Sequence, residues 1–157
     1  MSGAVFDKGK FHHVGVIVRD MDKTIAHLTA LGIGPFGMPG GAPWVEIPFK
    51  GELRGRPVEF KLRVSNARMG GIELELLQPC GGESAMQEFL DRNGEGLHHI
   101  GYTTDDLDGA IKELGVKGIK VLTGARVGSG GFAYFETGAV GGVITELRQL
   151  ETPQRPG

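Results

Sequence analysis

Apolar and polar positions alternate along FHHVGVIV (Phe11–Val18), and the pattern then changes. After the polar break RDMD, apolar residues recur at Met21, Ile25, Leu28 and Leu31, which is helical spacing. A strand followed by a helix is therefore predicted, with Asp20 or Asp22 as cap and Gly32 and Gly34 as the stop. Two further runs alternate cleanly. In VEFKLRV, Val58, Phe60, Leu62 and Val64 oppose Glu59, Lys61 and Arg63; in IELELLQP, Ile72, Leu74 and Leu76 oppose Glu73, Glu75 and Leu77. FAYFE and GVITELRQL are also strand-like and are joined by a turn-rich TGAVGG.

The strand–helix phrase occurs twice. Displaced by 86 residues, Phe11 meets Leu97, His12-His13 meets His98-His99, and Gly15 meets Gly101. Asp20, Asp22, Ile25, Leu28 and Gly32-Ile33 then meet Asp106, Asp108, Ile111, Leu114 and Gly118-Ile119 without a gap. Apolar, acidic and glycine positions stay in step, so the chain is read as one domain, residues 1–157, of two β-α-β-β-β halves. The halves run from about 11 to 79 and from about 97 to 150. A helix at about 83–93, opened by a capping box of Ser84 and Gln87, links them. The predicted class is α+β, a cupped sheet with helices outside. Between His13 and Glu75 lie more residues than between His99 and Glu146. The extra length is assigned to Gly/Pro-rich residues 36–57, read as a long loop that can serve as a lid. The tail ETPQRPG is expected to be disordered.

Composition narrows the function. A net charge of −2 and a pI near 6.2 argue against nucleic acid or an anionic membrane as partner. The single cysteine, Cys80, rules out an internal disulfide and fits a reducing cytoplasm. No segment is apolar enough to span a bilayer, and the first residues do not read as a signal peptide. GIGPFG at 32–37 matches a dinucleotide fingerprint by letter only, because it follows a helix and contains Pro35.

Candidate chemistry follows from the repeat. A lone strand histidine is usually structural, but here both halves place one, His13 and His99, at the same point. Glu75 in ELLQ and Glu146 in ELRQ close the two halves in similar words. If the halves curl together, two imidazoles and two carboxylates meet, a donor set for a divalent first-row ion with positions left open. Such an ion polarises a carbonyl, and a carboxylate can then move the acidified neighbouring proton, Glu146 being the favoured base. Lys50, Arg54, Arg56, Lys61, Arg63 and Arg68 form a basic stretch. It reads either as a grip on an anionic substrate or as a solvated strand face. GSGG (128–131) reads as a backbone nest for an anion or as a turn. Trp44 and Phe49 either line a pocket or pack the inserted segment.

FHHVGVIV, ELLQP, GEGLHHIGY, GSGG and GVITELRQ, in that order, resemble the vicinal oxygen chelate superfamily, the glyoxalase/bleomycin-resistance/extradiol-dioxygenase group. Within it the likeness is to methylmalonyl-CoA epimerases. The resemblance implies metal ligands at His13, Glu75, His99 and Glu146, with cobalt, manganese, nickel or zinc all open. It implies an isomerase acting on a methylmalonyl-CoA-like acyl-CoA thioester, and a homodimer. It also implies a second base on a first-half strand. Spacing before ELLQP maps that base to Glu59, the preferred position; the local wording WVEI maps it to Glu46. Arg63, Lys61, Gly130 and Gly131 are the expected substrate contacts. The alternatives are a lactoylglutathione lyase, a ring-cleaving dioxygenase, or a non-catalytic protein that sequesters a ligand.

Overall fold

A computed structural model describes residues 4–152. All of the tail ETPQRPG except Glu151 and Thr152 lies outside the described residues. After the short α1 (Val5–Lys8), the first half runs β1 (Lys10–Ile17), α2 (Met21–Ala30), β2 (Phe36–Gly37), β3 (Val45–Leu53), β4 (Arg56–Met69) and β5 (Ile72–Gly82). Helix α3 (Ala85–Asn93) leads to β6 (Gly96–Thr103), α4 (Leu107–Val116), β7 (Val121–Val127), β8 (Gly130–Phe135) and β9 (Ile144–Gln149).

The two halves use one topology. β1 pairs parallel with β5, β5 antiparallel with β4, and β4 antiparallel with β3. In the same way β6 pairs with β9, β9 with β8, and β8 with β7. Antiparallel pairing of β1 with β6 forms one seam, and antiparallel pairing of β3 with β7 forms the other. The second seam closes the expected cup into a ring of eight strands, with β2 added on β4. Closure leaves few unpaired strand edges, which suits a sheet built mainly of antiparallel ladders.

Local chemistry fixes the repeated corners. The side chains of Asp20 and Asp106 accept from the backbone N–H of Lys23 and Gly109, and so cap α2 and α4. Gly32 and Gly118, at φ +83° and +80°, occupy the left-handed position that ends each helix. Ile33 and Ile119 then donate back to Leu28 and Leu114. α2 packs Ile25 and Leu28 against Val16, Leu74 and Leu76, on the outer face of β1 and β5. α4 lays Leu107, Ala110 and Leu114 on Ala133, Phe135 and Leu147 of β8 and β9. Each such Leu, once buried, contributes about 1.5–3 kcal/mol. The inside of the ring holds a second apolar set, including Ile17, Phe60, Leu62, Val64, Leu77 and Tyr134.

The segment read as an inserted loop is mostly strand. Residues 45–53 form β3, joined to β4 by the turn at Arg54 and Gly55; only 38–44 remain loop between β2 and β3. Its Gly/Pro content hid a real alternation: Val45, Ile47 and Phe49 pack on the interior core, while Glu46, Pro48 and Lys50 are exposed. Pro48 is tolerated because β3 meets β7 only from Gly51 onward. This segment is wall, not lid.

Candidate metal centre

The repeated HHxG phrase becomes intelligible at the β1–β6 seam. His13 stands opposite Gly101, and His99 opposite Gly15. Gly101 is in turn beside Glu146 on β9, and Gly15 beside Glu75 on β5. Each half thus sets a carboxylate next to a glycine, and the other half's imidazole lies over that glycine. A Cβ on Gly101 would fall 1.9 Å from the His13 ring, and one on Gly15 would fall 1.9 Å from the His99 ring. Only glycine leaves room for these rings.

The side chains therefore converge. His13 Nε2 is 2.7 Å from Glu146 Oε2 and 3.1 Å from His99 Nε2. His99 Nε2 is 3.1 Å from Glu146 Oε2, and both Nε2 atoms are 3.5 Å from Glu75 Oε2. One donor atom from each of the four residues lies within 4.8 Å of the others. Donors roughly 3 Å apart suit a shared ion with bonds of about 2 Å. The four residues are 0–3% exposed.

The leading histidine of each pair has its own place. His12 and His98 are the extra residues at two bulges in the β1–β6 ladder. The bulges bring His12 Nδ1 to 2.9 Å from His13 Nδ1, and His98 Nδ1 to 2.9 Å from His99 Nδ1. Burial, and then the neighbouring His99, pulls His98 down to about 3, so it is neutral. Burial, and then His13, also lowers His12. A neutral neighbour can accept the Nδ1 proton of His99 or His13, which leaves the Nε2 lone pair facing the group, the tautomer that a metal requires. His98 Nε2 would then carry the remaining proton; it has no hydrogen-bond partner.

Arg148 completes the electrostatics, and the sequence reading gave it no role. Its Nε donates to Glu146 Oε1 at 3.0 Å, and its Nη2 donates to Glu75 Oε1 at 3.1 Å. Nη2 also reaches Glu75 Oε2 at 3.3 Å, while both Oε2 atoms lie toward the imidazoles. Burial alone would raise both carboxyls, but Arg148 and the histidines outweigh it. Glu75 is held at about 2, and Glu146 well below the ordinary carboxylate range. Burial would lower His99, yet hydrogen bonds to Glu146 and Glu75 raise it overall. Tyr134, fully buried, sets its ring edge-on to His99 with centroids 4.7 Å apart, and burial pushes its phenol well up.

A cavity of about 270 Å³ adjoins this group. Ile47, Phe49, Leu62, Val64, Leu77 and Phe132 form its apolar wall, with Glu75, Arg148 and Asn66 as polar members. Asn66 sits across the ladder from Glu75, and its Oδ1 is buried without a partner.

Several expected site residues lie elsewhere. Glu59 is exposed on the outer face of β4 and pairs with Lys50 at 3.5 Å. Glu46 also faces outward, between Lys61 at 3.5 Å and Arg63 at 3.6 Å. Neither glutamate lines the cavity. Lys61 and Arg63 lie on that same outer face; Arg63 covers the Trp44 ring at 4.6 Å. Arg54 and Arg56 are matched by Glu88 and Glu83. Lys50, Arg54, Arg56, Lys61 and Arg63 of the basic stretch are thus ion-paired on the protein surface. GSGG is the β7–β8 turn and the start of β8; Gly131 borders the cavity, while Gly130 only pairs with Val127. Phe49 lines the cavity, whereas Trp44 donates to Asp22 at 2.7 Å.

A family model for the Glyoxalase/Bleomycin resistance protein/Dioxygenase superfamily matches residues 12–135, and the chain belongs to that superfamily. Within it, the resemblance is to methylmalonyl-CoA epimerase. The mitochondrial methylmalonyl-CoA epimerase of Bos taurus is 30% identical over 152 residues, covering 94% of this chain and 78% of the bovine protein. The Homo sapiens protein of that name is 27% identical over 153 residues, covering 95% and 78%. A Streptomyces coelicolor methylmalonyl-CoA epimerase variant in complex with 2-nitronate-propionyl-CoA superposes with a TM-score of 0.58 at 28% identity, covering 91% of this chain and 98% of that one. No helix among the described residues is long and apolar enough to cross a membrane.

The raised His99 pKa has a measurable consequence for cation binding. Below that pKa a cation must displace a proton; above it none is displaced. Zn²⁺ or Co²⁺ affinity, measured by competition with a chromophoric chelator, is expected to fall about tenfold per pH unit on the acid side of His99 and to level off above it. A flat profile from pH 5 to 8 would mean that the imidazoles do not take part.

Proposed function

We propose that this chain is a divalent-metal-dependent epimerase that moves a proton at the carbon beside a thioester carbonyl, with methylmalonyl-CoA-like acyl-CoA thioesters as first candidates. The reading is carried by four convergent donors, two from each half, set beside an apolar cavity. The named activity of the relatives supports the same reaction class. His13, Glu75, His99 and Glu146 would hold the ion. When bound, it supplies Lewis acidity that polarises the substrate carbonyl and acidifies the adjacent C–H.

The protein's own groups do the rest. Epimerisation needs a proton removed from one face and returned from the other. With Glu59 and Glu46 outside the ring, the carboxylates of the donor group are those of Glu75 and Glu146, one from each half; the acids that line the cavity are Glu75 and Glu151. Glu75 borders the cavity and is placed to exchange a proton with substrate; Glu146 does so from the opposite half. Arg148 keeps both ionised, and the apolar wall excludes water, which strengthens every charge interaction inside. Homodimerisation belongs to this proposal by family likeness.

A second reading, glyoxalase-type isomerisation, is favoured by the same pair of carboxylates in the donor group. One experiment separates the two. Metal-loaded protein is incubated in D₂O with methylmalonyl-CoA, ethylmalonyl-CoA and a methylglyoxal hemithioacetal, and the C–H signals are followed by NMR. Metal-dependent α-proton washout from the thioesters is expected. Conversion of the hemithioacetal alone would select the second reading, and silence on all three would remove both.

A further inference from the structure

We propose that Arg148 is a substrate-binding residue that holds a carboxylate of the substrate inside the apolar cavity. The inference deepens the epimerase reading and rests on it. The basic stretch on β3 and β4 is ion-paired on the outer surface and faces away from the ligand space. Among the described residues lining the cavity, Arg148 is the one cation, and Glu75 and Glu151 are the acids.

Its geometry leaves part of the guanidinium for a ligand. Nε and Nη2 are committed to Glu146 and Glu75. Nη1 takes part in neither bond, and the side chain keeps 24% of its surface exposed. An arginine held on one side by two carboxylates presents its remaining N–H donors in a fixed direction, which suits a planar carboxylate. Leu62, Val64, Leu77 and Phe132 line the same cavity and would take the apolar part of the ligand. A phosphate is a poorer match, since a dianion needs several donors and this wall offers few.

Charge sets when the ligand is accepted. With neutral imidazoles, two carboxylates and one guanidinium carry one net negative charge, which repels an anion. A divalent ion in the group would bring that sum to one net positive charge, with Glu151 a separate, exposed acid at the cavity's border. Carboxylate binding is therefore coupled to metal loading. The ligand class is a compact apolar acyl group bearing a free carboxylate, the acid held by Arg148 and the apolar body by the cavity.

The test uses phenylacetate and its neutral counterpart phenylacetamide as probes, titrated by calorimetry into Zn²⁺-loaded and chelator-treated protein. Loaded wild type should bind phenylacetate at least tenfold more tightly than phenylacetamide, and chelation should shrink that preference. In loaded Arg148→Met the preference should fall to threefold or less while phenylacetamide affinity is kept, which also reports an intact cavity. If Arg148→Met does not fold, Arg148→Gln replaces it with the same expectation. The proposal is overturned if the preference survives in either variant, since the metal alone would then hold the carboxylate. It is overturned equally if loaded wild type shows no preference or binds neither probe. Preference without any thioester exchange would instead remove the epimerase reading and leave Arg148 as an acid-binding residue.

Discussion

Glu146→Gln is expected to slow metal-dependent α-proton exchange by about 10²–10⁴-fold, the range a positioned acid–base group contributes. The substitution keeps the shape of the side chain and removes its charge. His13 and His99 then face an amide where Oε2 lay 2.7 and 3.1 Å away, and Arg148 loses one of its two carboxylates. Divalent-cation affinity should fall at least about tenfold in the same variant, since Glu146 is one of four donors. NMR in D₂O gives the exchange rate and calorimetry the affinity. Exchange within threefold of wild type would show that Glu146 carries no proton.

Gly101→Ala is expected to be nearly as damaging, although it touches no charged atom. The added methyl would lie 1.9 Å from His13 Cε1 and 2.4 Å from both ring nitrogens. Strand pairing holds the backbone on both sides of Gly101, through His13 on β1 and Glu146 on β9, so the ring must yield. Overpacking of this kind costs about 1–3 kcal/mol, and a tilted imidazole also loses its place among the donors. Urea unfolding and cation titration should both register the change. Gly71→Ala is the control, because nothing lies within 4 Å of a Cβ there. If both variants behave alike, the imidazole does not rest on the glycine.

The repeat is the strongest signal in the sequence, and the residues it marks converge in the fold. His13, His99, Gly15, Gly101 and the two closing glutamates are in step because each half builds the same pairing register. The bulges at His12 and His98 were not legible, since alternation cannot show an extra residue in a ladder. The ring's second seam also escaped, because edge-to-edge contact between β3 and β7 leaves no periodic trace.

The outward position of Glu59 has a physical cause. Strand parity sets Glu59 opposite Val58 and Phe60, and β4 keeps that alternation. What parity could not supply was the character of the interior, which is apolar apart from the clustered site. In such a ring Val58 and Phe60 face inward, and Glu59 is left to Lys50 and solvent. Asn66, seven residues further on, is the β4 residue that meets Glu75. Arg148 was visible only as a mismatch between otherwise similar phrases, ELLQ and ELRQ. Where the first half has Leu77, the second has arginine, and both border the cavity.

That mismatch bears on how a twofold design can serve handed chemistry. Two identical half-length polypeptides, associating as a pair, would offer any bound molecule equivalent left and right sides. Joining them in tandem frees each copy to diverge, so a hydrocarbon flank and a cationic flank now frame the same central donors. A bound molecule then meets two different flanks, where identical flanks would make its two orientations equivalent.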